Sequence, residues 1–204
     1  MVGAVLAAML LTFLLPKALR IGPNWLIPLL EGVLLIALIV GDPGKIDRRS
    51  KRLRGLAIGL VAVLVLESLF STTLLIAALI LGRHVTNSAS VLLSAGAIVW
   101  VSNNLAFTLL YWQLDSGGAA ARAHGLPTHP DLAFPQQLNP ELAPADWRPV
   151  FIDYLYLGFS NALSFSPTDV LPLVPWAKIA MGMQALISLA ILGLVIARAV
   201  NVLG

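Results

Sequence analysis

Two glutamates, Glu31 and Glu67, stand inside apolar stretches, where an ionised side chain at mid-helix costs roughly 2.5 to 3.5 kcal/mol in lipid. Each is therefore expected to face a bundle interior or a cavity. Glu31 lies ten residues before Gly41 and Glu67 twelve after Gly55, which along a helix is about 15 and 18 Å from the basic loop between them. Asn103 and Asn104 fall ten and nine residues before Gln113, near the same depth on the next apolar stretch. Together the four side chains form a polar layer suited to a proton or a small cation. The same residues also suit a packing device in which a protonated Glu bonds an Asn or a carbonyl and fixes helix register. Ser68, Ser71, Thr72 and Thr73 are expected to bond back onto their own helix.

A second set lies near the carboxyl end. Asn161, Ser164, Ser166, Thr168 and Asp169 line a Ser/Pro/Thr/Asp turn between a short polar-edged helix and a long apolar one. Hydroxyls and a ring of Asp169 carboxylates from several chains would favour cations. Alternatively, Ser166-Pro167-Thr168-Asp169 reads as an N-capped turn with proline at the first helical position, in which Asp169 only caps. Asp153 is expected at a helix start, where a carboxylate complements the dipole. His124, His129 and Asp131 match no established ligand spacing and fall in a proline-rich loop, so no metal site is expected. The sequence holds no H-E-x-x-H, P-loop or G-x-S-x-G motif, and neither an enzyme nor a cofactor is expected.

The elements that carry these residues follow from composition. With 204 residues, 58% hydrophobic and 11% charged, the chain is expected to be an all-α integral membrane protein. Backbone groups in lipid have to bond internally, and long uncharged runs do so as helices of about 20 residues. Apolar runs cover 1–16, 24–41, 55–82 and 88–113, giving a four-helix membrane bundle over 1–113. A proline-rich aqueous connection follows at 114–149. Residues 150–204 form a short segment, 150–166, a turn and a final helix over 176–201. With no cysteine, disulfides and thiolate metal sites are excluded.

Six of the thirteen basic residues (Lys45, Arg48, Arg49, Lys51, Arg52, Arg54) crowd one loop. That pattern orients a membrane protein and attracts anionic lipid headgroups, rather than nucleic acid. With the loop in the cytoplasm, an inside carboxyl terminus requires the segment 150–166 to cross fully, giving six spans. Seventeen residues reach about 25 Å, which local thinning accommodates.

The order of residues 153–198 resembles a potassium-channel pore module. Asp153, Leu155, Tyr156, Asp169, Pro172, Pro175 and Lys178 fall where such modules place similar residues. The resemblance implies a half-spanning, re-entrant fifth segment, so that five to six membrane helices are expected. It also implies a homo-oligomer, a tetramer being the expected form, since one module cannot enclose a pore. The T-x-G-Y-G filter of that family aligns with Ser164-Phe165-Ser166-Pro167-Thr168. Pro167 and Phe165 oppose the backbone angles that glycines permit, so a potassium-type filter is not expected.

Over most of its length the chain also resembles uncharacterised bacterial membrane proteins, a domain family of unknown function. The residues are Phe107-Thr-Leu-Leu-Tyr-Trp112, Asp131-Leu-Ala-Phe-Pro135, Phe151-Ile-Asp-Tyr-Leu-Tyr156 and the terminal Ala199-Val200-Asn201. This resemblance implies a multi-pass protein of the bacterial inner membrane and supplies no chemistry. The expected function is channel-like conduction of small cations, with ion-coupled solute transport through Glu31 and Glu67, or a non-conducting scaffold, as alternatives.

Overall fold

A computed structural model describes residues 1–41, 51–81, 88–125, 129–163 and 169–203. Helices dominate, as the uncharged runs require: α1 (Val2–Leu14), α2 (Leu26–Gly41), α3 (Lys51–Leu81), α4 (Ala89–Leu114), the short α5 (Ala119–Ala123) and α6 (Pro135–Leu138), α7 (Phe151–Leu163) and α8 (Pro175–Leu203). Two-residue strands β1 (Leu132–Ala133) and β2 (Leu171–Pro172) pair antiparallel, Leu132 facing Pro172. Three helices, α3, α4 and α8, are long and apolar enough to cross a membrane, and α1 and α2 are shorter apolar helices. The chain thus has the character of a membrane protein.

The long helices alternate in direction. Gly41, at the end of α2, abuts Leu53 near the start of α3, and Arg54 reaches the neighbourhood of Gly117, just past the end of α4. Met1, Leu38, Ala57, Trp112 and Gln113 border one small void there. This loop end of the bundle therefore gathers the start of α1, the end of α2, the start of α3 and the end of α4. At the far end, Leu15 and Leu19 pack with Leu75, Leu79, Leu92, Val195 and Ala199.

The carboxyl-terminal unit departs from this alternation. Contacts of α4 with α8 descend on one helix as they ascend on the other: Asn104 meets Gln184 and Trp100 meets Ser188, and Gly96 meets Val195. These two helices are antiparallel. Along α7, Gly158 bonds Gln184 and Ala162 bonds Ser188, so α7 and α8 run parallel. Trp112 stacks edge-on to Tyr154 and Trp100 to Phe159, so α7 begins beside the end of α4 and proceeds inward. Its carboxyl end lies level with Ser188, about 20 Å along α8 from Pro175. By Leu171 the chain is back at the loop end, because β2 pairs with β1 and the Leu173 amide donates to the Asp131 carbonyl at 2.9 Å. Pro175 then opens α8 at a position where a missing N–H costs nothing.

Two close approaches set this packing. A Cβ on Gly96 would stand 2.9 Å from Val195, and one on Gly158 would collide with the Thr108 hydroxyl. Small residues let helices in lipid approach and trade van der Waals contact for the hydrophobic drive that lipid removes.

Candidate functional site

At the loop end, Asp115 holds the mouth of α7. The backbone there takes a run of positive φ values, Ser116 at 53°, Gly117 at 78° and Gly118 at 92°. For serine this is a sparsely populated conformation that surrounding bonds must enforce. They do: the Ser116 amide donates to Asp131 Oδ2 at 3.1 Å and its hydroxyl to Asp115 Oδ1 at 3.0 Å. Asp115 Oδ1 also accepts the amides of Asp131 and Leu132 at 3.2 and 3.1 Å, and its Oδ2 accepts the Tyr154 hydroxyl. Arg122 donates to the Asp115 carbonyl at 2.6 Å, and its guanidinium lies 4.4 Å from the Trp112 ring centre and 4.9 Å from that of Tyr154. Burial pulls the Arg122 pKa below its ordinary value, with Tyr154 and Asp115 opposing. Asp131 in turn accepts the indole N–H of Trp176 at 3.3 Å, which ties the start of α8 to the same knot.

Deeper, a single glutamine joins three helices. Gln184 on α8 is fully buried. Its Oε1 accepts the Tyr111 hydroxyl and Asn161 Nδ2, both at 2.8 Å, and its Nε2 donates to Asn104 Oδ1 at 3.2 Å and to the Gly158 carbonyl at 2.9 Å. All four bonding positions of the amide are filled. Asn161 adds a bond from Nδ2 to the Met181 carbonyl at 2.9 Å. One turn along, Trp100 donates to Ser188, which donates to the Ala162 carbonyl.

The glutamates sit on the other side of α4. Glu67 on α3 lies beside Thr12 of α1, whose hydroxyl is 3.0 Å from Glu67 Oε2 and 3.1 Å from the Ala8 carbonyl. Asn103 Nδ2 donates to Ser68 at 3.2 Å. Glu31 on α2 is fully buried, neither oxygen has a hydrogen-bond partner, and it lies within electrostatic reach of Glu67. A cavity large enough for one water is bounded by Thr12, Leu15, Glu67, Ser68, Ser71, Val99 and Ser102.

The structure thus divides the expected polar layer. Glu31, Glu67 and Asn103 share one side of α4, while Asn104 joins Asn161 in the Gln184 hub. Of the hydroxyls expected to bond back, Thr73 does so to Leu69 at 2.8 Å, but Ser71 and Thr72 have no partner and Ser68 accepts from Asn103. That expectation is corrected for those three. Asp153 accepts the Val150 amide at 2.7 Å, in keeping with its place at a helix start. Asp169 is exposed just ahead of β2, whereas Ser164, Ser166 and Thr168 lie outside the described residues. Gln184 and Asp115 were missed as site residues. The lone glutamine in an apolar run was a readable signal, while Asp115 gave none, because its partners lie up to 39 residues away.

A search of family models, of curated proteins and of solved structures finds no match for this chain.

Proposed function

We propose that this chain is a multi-pass protein of the bacterial inner membrane that conducts small cations as a symmetric assembly, with the α7–α8 unit of each copy bordering the pore. The observation that carries this reading is the direction of α7. It enters from the loop end, stops about 20 Å in, and the chain is back at that end before α8 begins. A helix that ends at such a depth in a bilayer has to have its terminal carbonyls buried in protein or facing water. A short helix, a turn and a crossing helix in this order match the pore-module order found in the sequence. On this reading α1, α2, α3, α4 and α8 cross and α7 is re-entrant, giving five spans.

Charge orients the assembly. Lys51, Arg52, Arg54, Arg122, Arg148 and Lys178 belong to the loop end, and Lys17, Arg20 and Arg198 to the far end. The positive-inside rule then places the loop end in the cytoplasm, where the exposed Lys51, Arg52 and Arg54 meet anionic headgroups. α7 therefore dips from the cytoplasmic side, opposite to a potassium channel. The outer face of α8, with Ile179, Met183, Leu186, Leu189, Ile196 and Val200 exposed, offers apolar surface to neighbouring copies or to lipid.

Asp169→Asn in reconstituted liposomes is expected to lower cation flux severalfold by removing a ring of charge at the mouth. Unchanged flux would take Asp169 out of the pathway. A single-chain mass in mild detergent, with flux retained at limiting dilution, would remove the shared pore.

A further inference from the structure

The cavity between α1, α3 and α4 presents a proton-counting problem. The Thr12 hydroxyl has one hydrogen but two acceptors in range, the Ala8 carbonyl at 3.1 Å and Glu67 Oε2 at 3.0 Å. Both contacts become hydrogen bonds when Glu67 carries the second hydrogen: Glu67 donates to Thr12, and Thr12 donates to Ala8. With Glu67 ionised, the single Thr12 hydrogen turns to Glu67 Oε2 and the Ala8 carbonyl keeps only the Thr12 amide of its own helix, so the protonated form makes one hydrogen bond more in this buried site. Ser71, buried and on the cavity wall, has a hydroxyl with no protein partner, and Glu67, Ser68 and Ser102 border the same cavity. The cavity has a volume of about 10 Å³ for the centre of a water-sized sphere, room for one water, which these groups could hold.

The charge surroundings point the same way. Among the described residues of the elements packed against α3, Glu31 of α2 is the titratable group within electrostatic reach of Glu67. Lys17, Arg20 and Arg198 lie further toward the far end, and the ion pair among the described residues is Arg122 with Asp115. Among the described residues no cationic side chain pairs with Glu67, and a single carboxylate cannot offset a divalent ion. We propose that Glu67 is a binding site for one exchangeable proton, served by a water molecule in the Thr12–Ser71–Ser102 cavity. In the loading step a hydronium in the cavity loses a proton to Glu67 Oε2. One O–H bond breaks on hydronium, one forms on the carboxyl, and neutral water remains. Release is the reverse. The site stands whether or not α7 and α8 conduct.

The test uses the full chain in detergent micelles with dicyclohexylcarbodiimide, which modifies protonated carboxyl groups in apolar surroundings, and locates the adduct by mass spectrometry. Glu67 is expected to be labelled at neutral pH, with loss of labelling as the pH rises and no protection by Na⁺ or K⁺. Glu67→Gln should lose that adduct. Thr12→Val, which keeps the shape and removes the hydroxyl, should change the pH at which labelling disappears. Infrared difference spectra of wild type against Glu67→Gln give a readout independent of reagent access, and should contain an acid carbonyl band that vanishes reversibly at alkaline pH. Protection by Na⁺ at constant pH would overturn the proposal in favour of a metal-cation site. A carboxylate signal at every pH, or an acid signal that never responds to pH, would overturn it as well.

Discussion

Gln184 concentrates more of the structure than any other side chain of α8. Its amide is bonded to Tyr111, Asn104, Asn161 and Gly158; without it the Tyr111 hydroxyl and Asn104 Oδ1 would lie unpaired in an apolar interior, while Asn161 keeps the Met181 carbonyl. Interhelical bonds in membranes average about 0.6 kcal/mol, but truncation also strands the partners. Gln184→Leu is therefore expected to destabilise the folded protein by about 2–4 kcal/mol, read as a lowered midpoint in a mixed-micelle denaturation series. A change below ~0.5 kcal/mol would mean that water or rearranged partners replace the amide. The depth of the polar residues was legible from counting rise per residue. Their grouping was not, for a simple reason: consecutive helical positions point about 100° apart, so Asn103 and Asn104 turn to different neighbours, α3 and α8. Which helix stands on which side is tertiary information that a run of apolar residues does not encode.

Among the elements, α7 is the one whose sequence reading pointed two ways. Residue count and charge placement favoured a full crossing, while resemblance to a pore module favoured re-entry. Reach arithmetic weighs length alone, and neither signal contains the antiparallel register of α7 on α4. That register is set where Gly158 meets Thr108 and the Asn104 carbonyl, the latter 3.4 Å from a Cβ built on the glycine. Gly158→Ala should force α7 away from α4 and cost about 1–3 kcal/mol through overpacking. Thr108→Ala removes the hydroxyl in the way, and that hydroxyl has no hydrogen-bond partner to lose. The double variant is then expected to recover part of the loss, a coupling visible in a double-mutant cycle. Strict additivity would show that the two residues do not touch. The long helices needed no such contact to be read, because uncharged runs longer than about 18 residues admit few other structures.

At the scale of the whole molecule, the connection from Leu114 to Pro149 and the return of the chain after α7 decide the topology together. Asp115, Asp131, Tyr154 and Trp176 come from four separate stretches and are bonded to one another, so the end of α4, the start of α7 and the start of α8 have to share one side of the membrane. On the proposed five-span reading the amino and carboxyl termini lie on opposite sides, and the end of α2 and the start of α3 fall on the same side as Asp115. The chain lacks cysteine, so single cysteines report position without background. Glu141→Cys and Asp169→Cys, both at exposed positions, should react with an impermeant maleimide only after the cytoplasmic side is opened, whereas Asn201→Cys should react in intact cells. Labelling of position 169 from the outside, with 141 inside, would require α7 to cross and the Trp176–Asp131 and β1–β2 contacts to be absent in the bilayer. Those contacts make that outcome expensive: separating Trp176 from Asp131 and β2 from β1 would leave the indole N–H and the paired backbone groups to find other partners, at about 1–3 kcal/mol for each that stays buried and unpaired.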